Sequence, residues 1–128
     1  MDKHDLIRAV GEFVDNSAEN YISAETAIAE KAVGLKMYER PIFGFGAADD
    51  SDFKLLKKDS VIGEHFMLPA DWLPGAQTVI SFFMPFSETV RSTNREDQVW
   101  PSAEWLHARI EGQRFINTVC RYLQSILE

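Results

Sequence analysis

The 128-residue chain carries 13 Lys and Arg against 20 Asp and Glu, a formal net charge of −7, and is 45% hydrophobic, 12% aromatic and 26% charged. That length suits a single domain over residues 1–128 built on one core, and the composition lies far from that of chains that stay disordered. The acidic balance argues against nucleic acid as a partner, because affinity for phosphates is built from Lys and Arg, and the short basic run of Lys54, Lys57 and Lys58 reads as the solvated face of a short helix. A lone cysteine, Cys120, excludes an internal disulfide and any zinc or iron–sulfur site made of cysteines from this chain alone. No run reaches the about 18 apolar residues of a membrane span. The charged, amphipathic start "MDKHDLIRAV" lacks the apolar core of a signal peptide. A cytoplasmic protein without a membrane partner is therefore expected.

In chain order, Leu6, Ile7, Val10, Phe13 and Val14 recur at three- and four-residue spacing and predict an amphipathic helix. Ser23 is placed to cap a second, Ala-rich helix carrying Ala27, Ile28, Ala32 and Val33, with Gly34 as its stop. In "RPIFGFGAADD", Pro41 disfavours helix at Arg40, and Ile42 to Phe45 reads as a short buried strand running into a Gly/Asp turn. "SDFKLLKK" allows about two helical turns, capped by Ser51 or Asp52 and anchored by Phe53, Leu55 and Leu56. His65 to Ala76 reads as a packed loop, since Pro69 and Pro74 cannot donate to a ladder and Pro74-Gly75 is a turn dipeptide.

Gln77 to Met84 is rich in β-branched and aromatic residues and nearly continuous in apolarity, the pattern of a strand covered on both faces, and Pro85 stops it. Ser87 to Trp100 is polar and aperiodic, with the length of a lid or partner-contact loop. A long helix capped by Ser102 then packs through Trp105, Leu106, the stem of Arg109, Ile110, Ile116, Val119, Cys120, Leu123 and Leu127. Phe115 and Tyr122 lie off that line, His107 falls on the outer surface, and Gly112 marks a close packing contact, because glycine there costs about 1 kcal/mol relative to alanine. The fold class is α/β: a small sheet flanked by helices with a long C-terminal helix.

Chemistry-bearing residues are sparse. His4, His65 and His107 stand apart from one another and from any carboxylate at metal-ligand spacing, so no metal site is assigned. "GFG" lacks the third glycine of a dinucleotide fingerprint, and Asp49, Asp50 and Asp52 lack the spacing of a calcium loop. No nucleophile elbow or paired nucleophile and base is visible, and no catalytic residue is assigned. The candidate pocket is the apolar loop before the second strand, through His65, Phe66 and Trp72, with Pro74 and Gly75 as its structural turn.

Taken together, "RPIFGFGAADD", "LPADWLPGAQTVISFFMPF" and the "STN" before an aromatic-bearing helix resemble the N-terminal region of epoxyqueuosine reductase-like iron–sulfur proteins, from Pro41 to the end of the chain. The resemblance implies a corrinoid-dependent reductase, similar to reductive dehalogenases, whose downstream half supplies ferredoxin-type cysteine motifs. On that reading this chain is a non-catalytic accessory domain that covers a cofactor or substrate pocket with its His65 to Trp72 loop. It holds no cofactor itself, while [4Fe-4S] clusters and cobalamin belong to a longer parent. The alternative is a free-standing interaction or dimerisation module without a cofactor. The expected partner is accordingly either a C-terminal iron–sulfur region or a second copy, docked through the terminal helix or an open strand edge.

Overall fold

A computed structural model describes residues 1–128, which divide into two compact units, one made of Met1–Ile42 and Phe83–Glu128, the other of Phe43–Phe82. In the first unit, α1 (Lys3–Asn16) starts where the Asp2 carboxylate accepts the Asp5 N–H at 2.9 Å and turns Leu6, Val10, Gly11 and Val14 inward. The long helix α5 (Ala103–Leu127) is capped by Ser102, whose hydroxyl accepts the Trp105 N–H at 3.1 Å. It buries Glu104, His107, Ala108, Gly112, Phe115, Val119 and Leu123. α4 (Glu88–Asn94) packs on α5 and inserts the fully buried Val90.

Two residues join these helices. Asn20 is fully buried, and its amide donates to the carbonyls of Val14 at 3.0 Å and Tyr38 at 2.9 Å while its Oδ1 accepts the Tyr38 N–H at 2.9 Å. Tyr38 in turn stacks on Phe86 and Phe115, with ring centroids 5.3 and 6.4 Å away, and donates its hydroxyl to the Ala108 carbonyl at 3.3 Å. The absence of a side chain at Gly112 makes room for this ring: a Cβ there would lie 2.8 Å from the Tyr38 hydroxyl. Burial raises the Tyr38 phenol above its ordinary range.

The second unit holds all but the end residues Ile42 and Phe83 of an antiparallel pair of strands, β1 (Ile42–Ala47) and β2 (Thr78–Phe83), with two short helices, α2 (Ser51–Leu55) and α3 (Pro69–Trp72), in the connection between them. Phe43 packs its ring against Phe45 and Phe82, at 6.1 and 5.9 Å between centroids. Among apolar residues of this unit, Ala48 alone is buried in the core. The chain is thus α/β, with a long C-terminal helix, and none of its helices is long and apolar enough to cross a membrane.

Several expectations are corrected. The Ala-rich helix after Ser23 does not form. Ser23 caps a single turn, its hydroxyl accepting the Thr26 N–H at 3.3 Å, and the backbone is already extended at Ala29. The segment instead closes on itself, Ile22 N–H to Leu35 carbonyl at 3.0 Å and Gly34 N–H to Ile22 carbonyl at 2.7 Å, with Gly34 at φ +77°. Burial of Ile22, Ala32 and Leu35 favours that closure over local helix propensity. The expected polar loop from Ser87 to Trp100 contains α4, started by Ser87 accepting the Val90 N–H at 3.3 Å and supported by an Arg91–Glu88 ion pair at 2.7 Å.

The terminal helix buries Val119 and Leu123 of the expected stripe, but the rest of its buried face is displaced from the one predicted. Phe115 and His107 are buried, whereas Cys120 is exposed and Ile110 and Leu127 are more than half exposed. Small residues at Ala108 and Gly112 let the neighbouring backbone and the Tyr38 ring approach, so the buried stripe runs through them rather than through the bulkiest side chains. Both strands lie where expected, yet neither is buried on two faces, and the helix in "SDFKLLKK" is capped by Asp50, not Ser51 or Asp52.

Gly112→Ala gains about 1 kcal/mol of helix propensity but drives a methyl into Tyr38, an overpacking that costs about 1–3 kcal/mol. A net loss near 1 kcal/mol in urea unfolding is expected, with partial recovery when Tyr38→Phe removes the hydroxyl. At the surface of the same unit, Asp15 accepts from Lys36 at 2.9 Å and Arg40 at 2.6 Å. The Lys36 hydrogen bond, helped by Arg40, holds its carboxyl below the usual range, and Asp15 in turn raises Lys36. A depressed folded-state carboxyl stabilises above its unfolded pKa of about 3.9, and that contribution disappears as pH falls through the folded value. Asp15→Asn is therefore expected to cost about 0.5–1 kcal/mol at neutral pH and nothing in strong acid, as read from urea midpoints across a pH series.

Candidate functional site

The candidate site is an apolar groove within the Phe43–Phe82 unit, set by one helical turn and one β-turn. Pro69 occupies the first turn of α3, where its missing N–H costs no hydrogen bond. The Asp71 carboxylate reaches back to accept the Leu68 N–H at 2.7 Å, and the turn closes with Leu73 N–H to Pro69 carbonyl at 3.0 Å. The chain then reverses at once: Ala76 N–H donates to the Leu73 carbonyl at 3.0 Å, with Pro74 and Gly75 at the centre and Gly75 at φ +81°. Proline followed by a glycine of positive φ is the requirement of a type II turn. A residue with a Cβ at position 75 would be strained by that backbone conformation.

These two tight elements leave little backbone slack, and they hold large apolar side chains outward. Trp72 is 75% exposed, Leu73 64% and Met67 42%. With Phe53, Phe66 and Val79 they line a groove of about 360 Å³. No titratable side chain lines it, and its polar side-chain groups are the Thr78 hydroxyl and the Trp72 indole N–H, so its chemistry is that of apolar packing rather than proton transfer or nucleophilic attack. A smaller recess of about 190 Å³, sharing Phe53 and Ala76, carries the charged residues Asp49, Asp50 and Lys54.

Of the three pocket residues singled out in the sequence, the structure brings Phe66 and Trp72 into this wall and leaves His65 out of it. His65 is exposed and turns its ring over Gly63, where a Cβ would lie 3.1 Å from Nδ1 and where φ is +120°. Its neighbour Glu64 contributes only a carbonyl, which accepts from Lys57 Nζ at 3.1 Å. The sequence reasoning missed Met67 and Leu73 as wall residues, although both sit in the same apolar loop. No group of three or more His, Cys, Asp or Glu side chains is placed to hold a metal ion.

His107, expected on the surface, is buried and bonded on both ring nitrogens: Nε2 accepts the Ile28 N–H at 3.1 Å, which leaves Nδ1 to donate to Glu111 Oε2 at 3.1 Å. This fixes one neutral tautomer. The imidazole fastens the Ile22–Leu35 loop to α5 and has no free nitrogen for chemistry. Glu104, one turn earlier, is also buried and lies 3.8 Å from Lys31 Nζ of the same loop.

No protein-family model matches the chain, and no curated protein or solved structure matches it.

Because Trp72 contributes so little to any core, Trp72→Ala is expected to change unfolding free energy by less than about 0.5 kcal/mol while lowering the binding of a hydrophobic fluorescent dye. Phe115→Ala, which empties a fully buried position, is expected to cost about 3–5 kcal/mol. Urea unfolding of the two variants side by side measures the contrast.

Proposed function

We propose that this protein is a non-catalytic accessory domain whose Phe66–Trp72 groove packs against an apolar ligand or partner surface, as the N-terminal domain of an epoxyqueuosine reductase-like iron–sulfur protein would cover its cofactor or substrate pocket. The observation that carries the reading is the exposure of Trp72, Leu73 and Met67 around one groove on tightly turned backbone. Side chains of that size held outward by a proline-initiated helix and a type II turn mark a surface that is used in contact. The absence of titratable groups from the wall accords with covering a site rather than performing its chemistry. No histidine lines the groove, so on this reading its part in holding a corrinoid would be packing and not cobalt ligation. Iron–sulfur clusters on this reading belong to a longer parent, because one cysteine cannot hold them.

The experiment is a titration of the protein with cobalamin, followed through tryptophan emission corrected for absorbance. A saturable response is expected in the natural chain and is expected to vanish in Trp72→Phe. A response that persists in that variant would come from Trp100 or Trp105 and would reject the groove as the site.

A second reading, self-association, is favoured by a separate observation: the sheet has only two strands, so each leaves an open edge within its unit, and a two-stranded sheet is marginal in water. A two-fold dimer pairing like edges, or the exposed Ile110 and Leu127 of α5, would bury that surface. Sedimentation equilibrium at micromolar concentration is expected to show a dimer on this reading, and a monomer would reject it.

A further inference from the structure

The Ile22–Leu35 loop, which lies wholly in the Met1–Ile42 and Phe83–Glu128 unit, is closed at its neck and lightly held at its tip. At the neck, Ile22 N–H donates to the Leu35 carbonyl at 3.0 Å and Gly34 N–H to the Ile22 carbonyl at 2.7 Å, and Tyr21 bridges to Lys36 just outside them. Ile22 and Leu35 are buried there. From Ser23 to Val33, by contrast, only Ala32 is buried, while Ile28 is 64% exposed and Val33 47%. A loop with joined ends and so little apolar anchoring can open at its tip without unfolding what lies around it.

The polar groups that fasten this tip to α5 are titratable. His107 Nε2 accepts the Ile28 N–H at 3.1 Å, and Glu104 Oε2 lies 3.8 Å from Lys31 Nζ, beyond hydrogen-bonding distance. Both α5 side chains are buried, and Glu104 Oε2 has no hydrogen-bond partner. A buried carboxylate oxygen in that state costs free energy that hydration recovers when the tip lifts. The closed tip is therefore poised.

Its response to a proton has one sign. A backbone amide can only donate, so closure requires a bare Nε2. The Lys31 ammonium and the exclusion of water by the loop act in the same direction, since both disfavour an imidazolium. The carboxylates that favour one, Glu104 and Glu111, stand on α5 itself and stay beside the ring in either position. Glu25 and Glu30 of the tip are exposed, where water and salt screen them. Charges on the other elements packed against α5 are engaged elsewhere: Asp15 of α1 with Lys36 and Arg40, Glu19 with the Thr118 hydroxyl, and Glu88 of α4 with Arg91. The nearby Tyr38 hydroxyl donates to the Ala108 carbonyl. The lifted tip thus accommodates the proton better than the closed one, and closure weakens as pH falls.

We propose that the Ile22–Leu35 loop is an acid-released strap: proton uptake at His107 Nε2 breaks the bond from Ile28 and lifts the tip from α5, uncovering His107 and Glu104 while the neck stays closed.

Hydrogen exchange of single amides in the natural chain, corrected for the intrinsic pH dependence of exchange, tests this between about pH 7.5 and about pH 5, a window that brackets the imidazole pKa in water of about 6.5. Protection at Ile28 and Ala32 is expected to fall together by about tenfold or more, with Ile22, Gly34 and Tyr38 unchanged. The midpoint is expected to coincide with the His107 ring titration followed by NMR in the same samples. His107→Gln, whose side-chain oxygen accepts but takes up no proton, is expected to stay protected across the range, and Glu104→Gln is expected to keep the acid response. Protection that does not change with pH, loss at Ile28 without loss at Ala32, or midpoints more than about one pH unit apart would each overturn the proposal. A response that survives in His107→Gln or disappears in Glu104→Gln would do the same. Should His107→Gln fail to fold, the two midpoints in the natural chain decide. None of these outcomes bears on the Trp72 groove.

Discussion

The first unit depends on the placement of one buried ring. Tyr38 fits over Gly112, stacks between Phe86 and Phe115, and is held at its backbone by both ends of the Asn20 amide. A buried amide with three satisfied hydrogen bonds is directional in a way that apolar contact is not, and so it sets which stretch of chain lies against α1 and α5. The ladder-like contacts nearby follow from it: Met37 N–H to Asn20 carbonyl and Ser87 N–H to Met37 carbonyl, both at 2.9 Å. His107 adds a second polar fastening on the same helix, for the Ile22–Leu35 loop. Removing any acceptor here would leave a buried donor unsatisfied, which costs more than the net worth of a hydrogen bond.

The Phe43–Phe82 unit is organised on the opposite principle. Every large side chain that is fully buried belongs to the first unit, while the second keeps Phe43, Phe45 and Phe82 half-covered and Trp72 and Leu73 largely in water. Its order comes from turns: the Asp50 cap, the Gly63 reversal, the Asp71 bond to Leu68 and the Pro74-Gly75 turn. Backbone fixed by turns presents side chains without burying them, and that is the physical basis for treating the groove as a contact surface.

Legibility in the sequence followed punctuation. Both strands were visible because Pro41, Pro85 and the Pro74-Gly75 pair bound short β-branched and aromatic runs, and the cap Ser102 stands just before its periodic helix. Burial was far less legible. Apolar continuity in "QTVISFFM" reads as a doubly covered strand, but the unit around it is too small to cover it. On α5 the predicted stripe caught Val119 and Leu123 but also the exposed Ile110 and Leu127, because small residues at Ala108 and Gly112 set the rest of the true one. α4 carries one fully buried apolar residue, Val90, in a seven-residue helix, so no periodicity announces it. The Ala-rich segment after Ser23 failed for a tertiary reason, since its closure pairs Ile22 with Leu35 and that partner is invisible to a local window. Of the candidate pocket, Phe66 and Trp72 were readable because an apolar loop carrying two prolines is unusual, whereas no local pattern shows that the His65 ring turns over Gly63 instead.

The account rests on the claim that the Phe66–Trp72 groove is a surface for contact rather than an imperfect core. Two-dimensional NMR of the uniformly labelled chain, titrated with cobalamin, tests this most directly, because it reports every backbone amide and each indole N–H at once. The account predicts saturable shifts at Phe66, Met67, Trp72, Leu73 and Val79, with the Trp72 indole signal moving and the amides around Asn20 and Tyr38 unchanged. Shifts centred elsewhere, or a Trp72 indole signal that stays in place at saturating cobalamin, would contradict it.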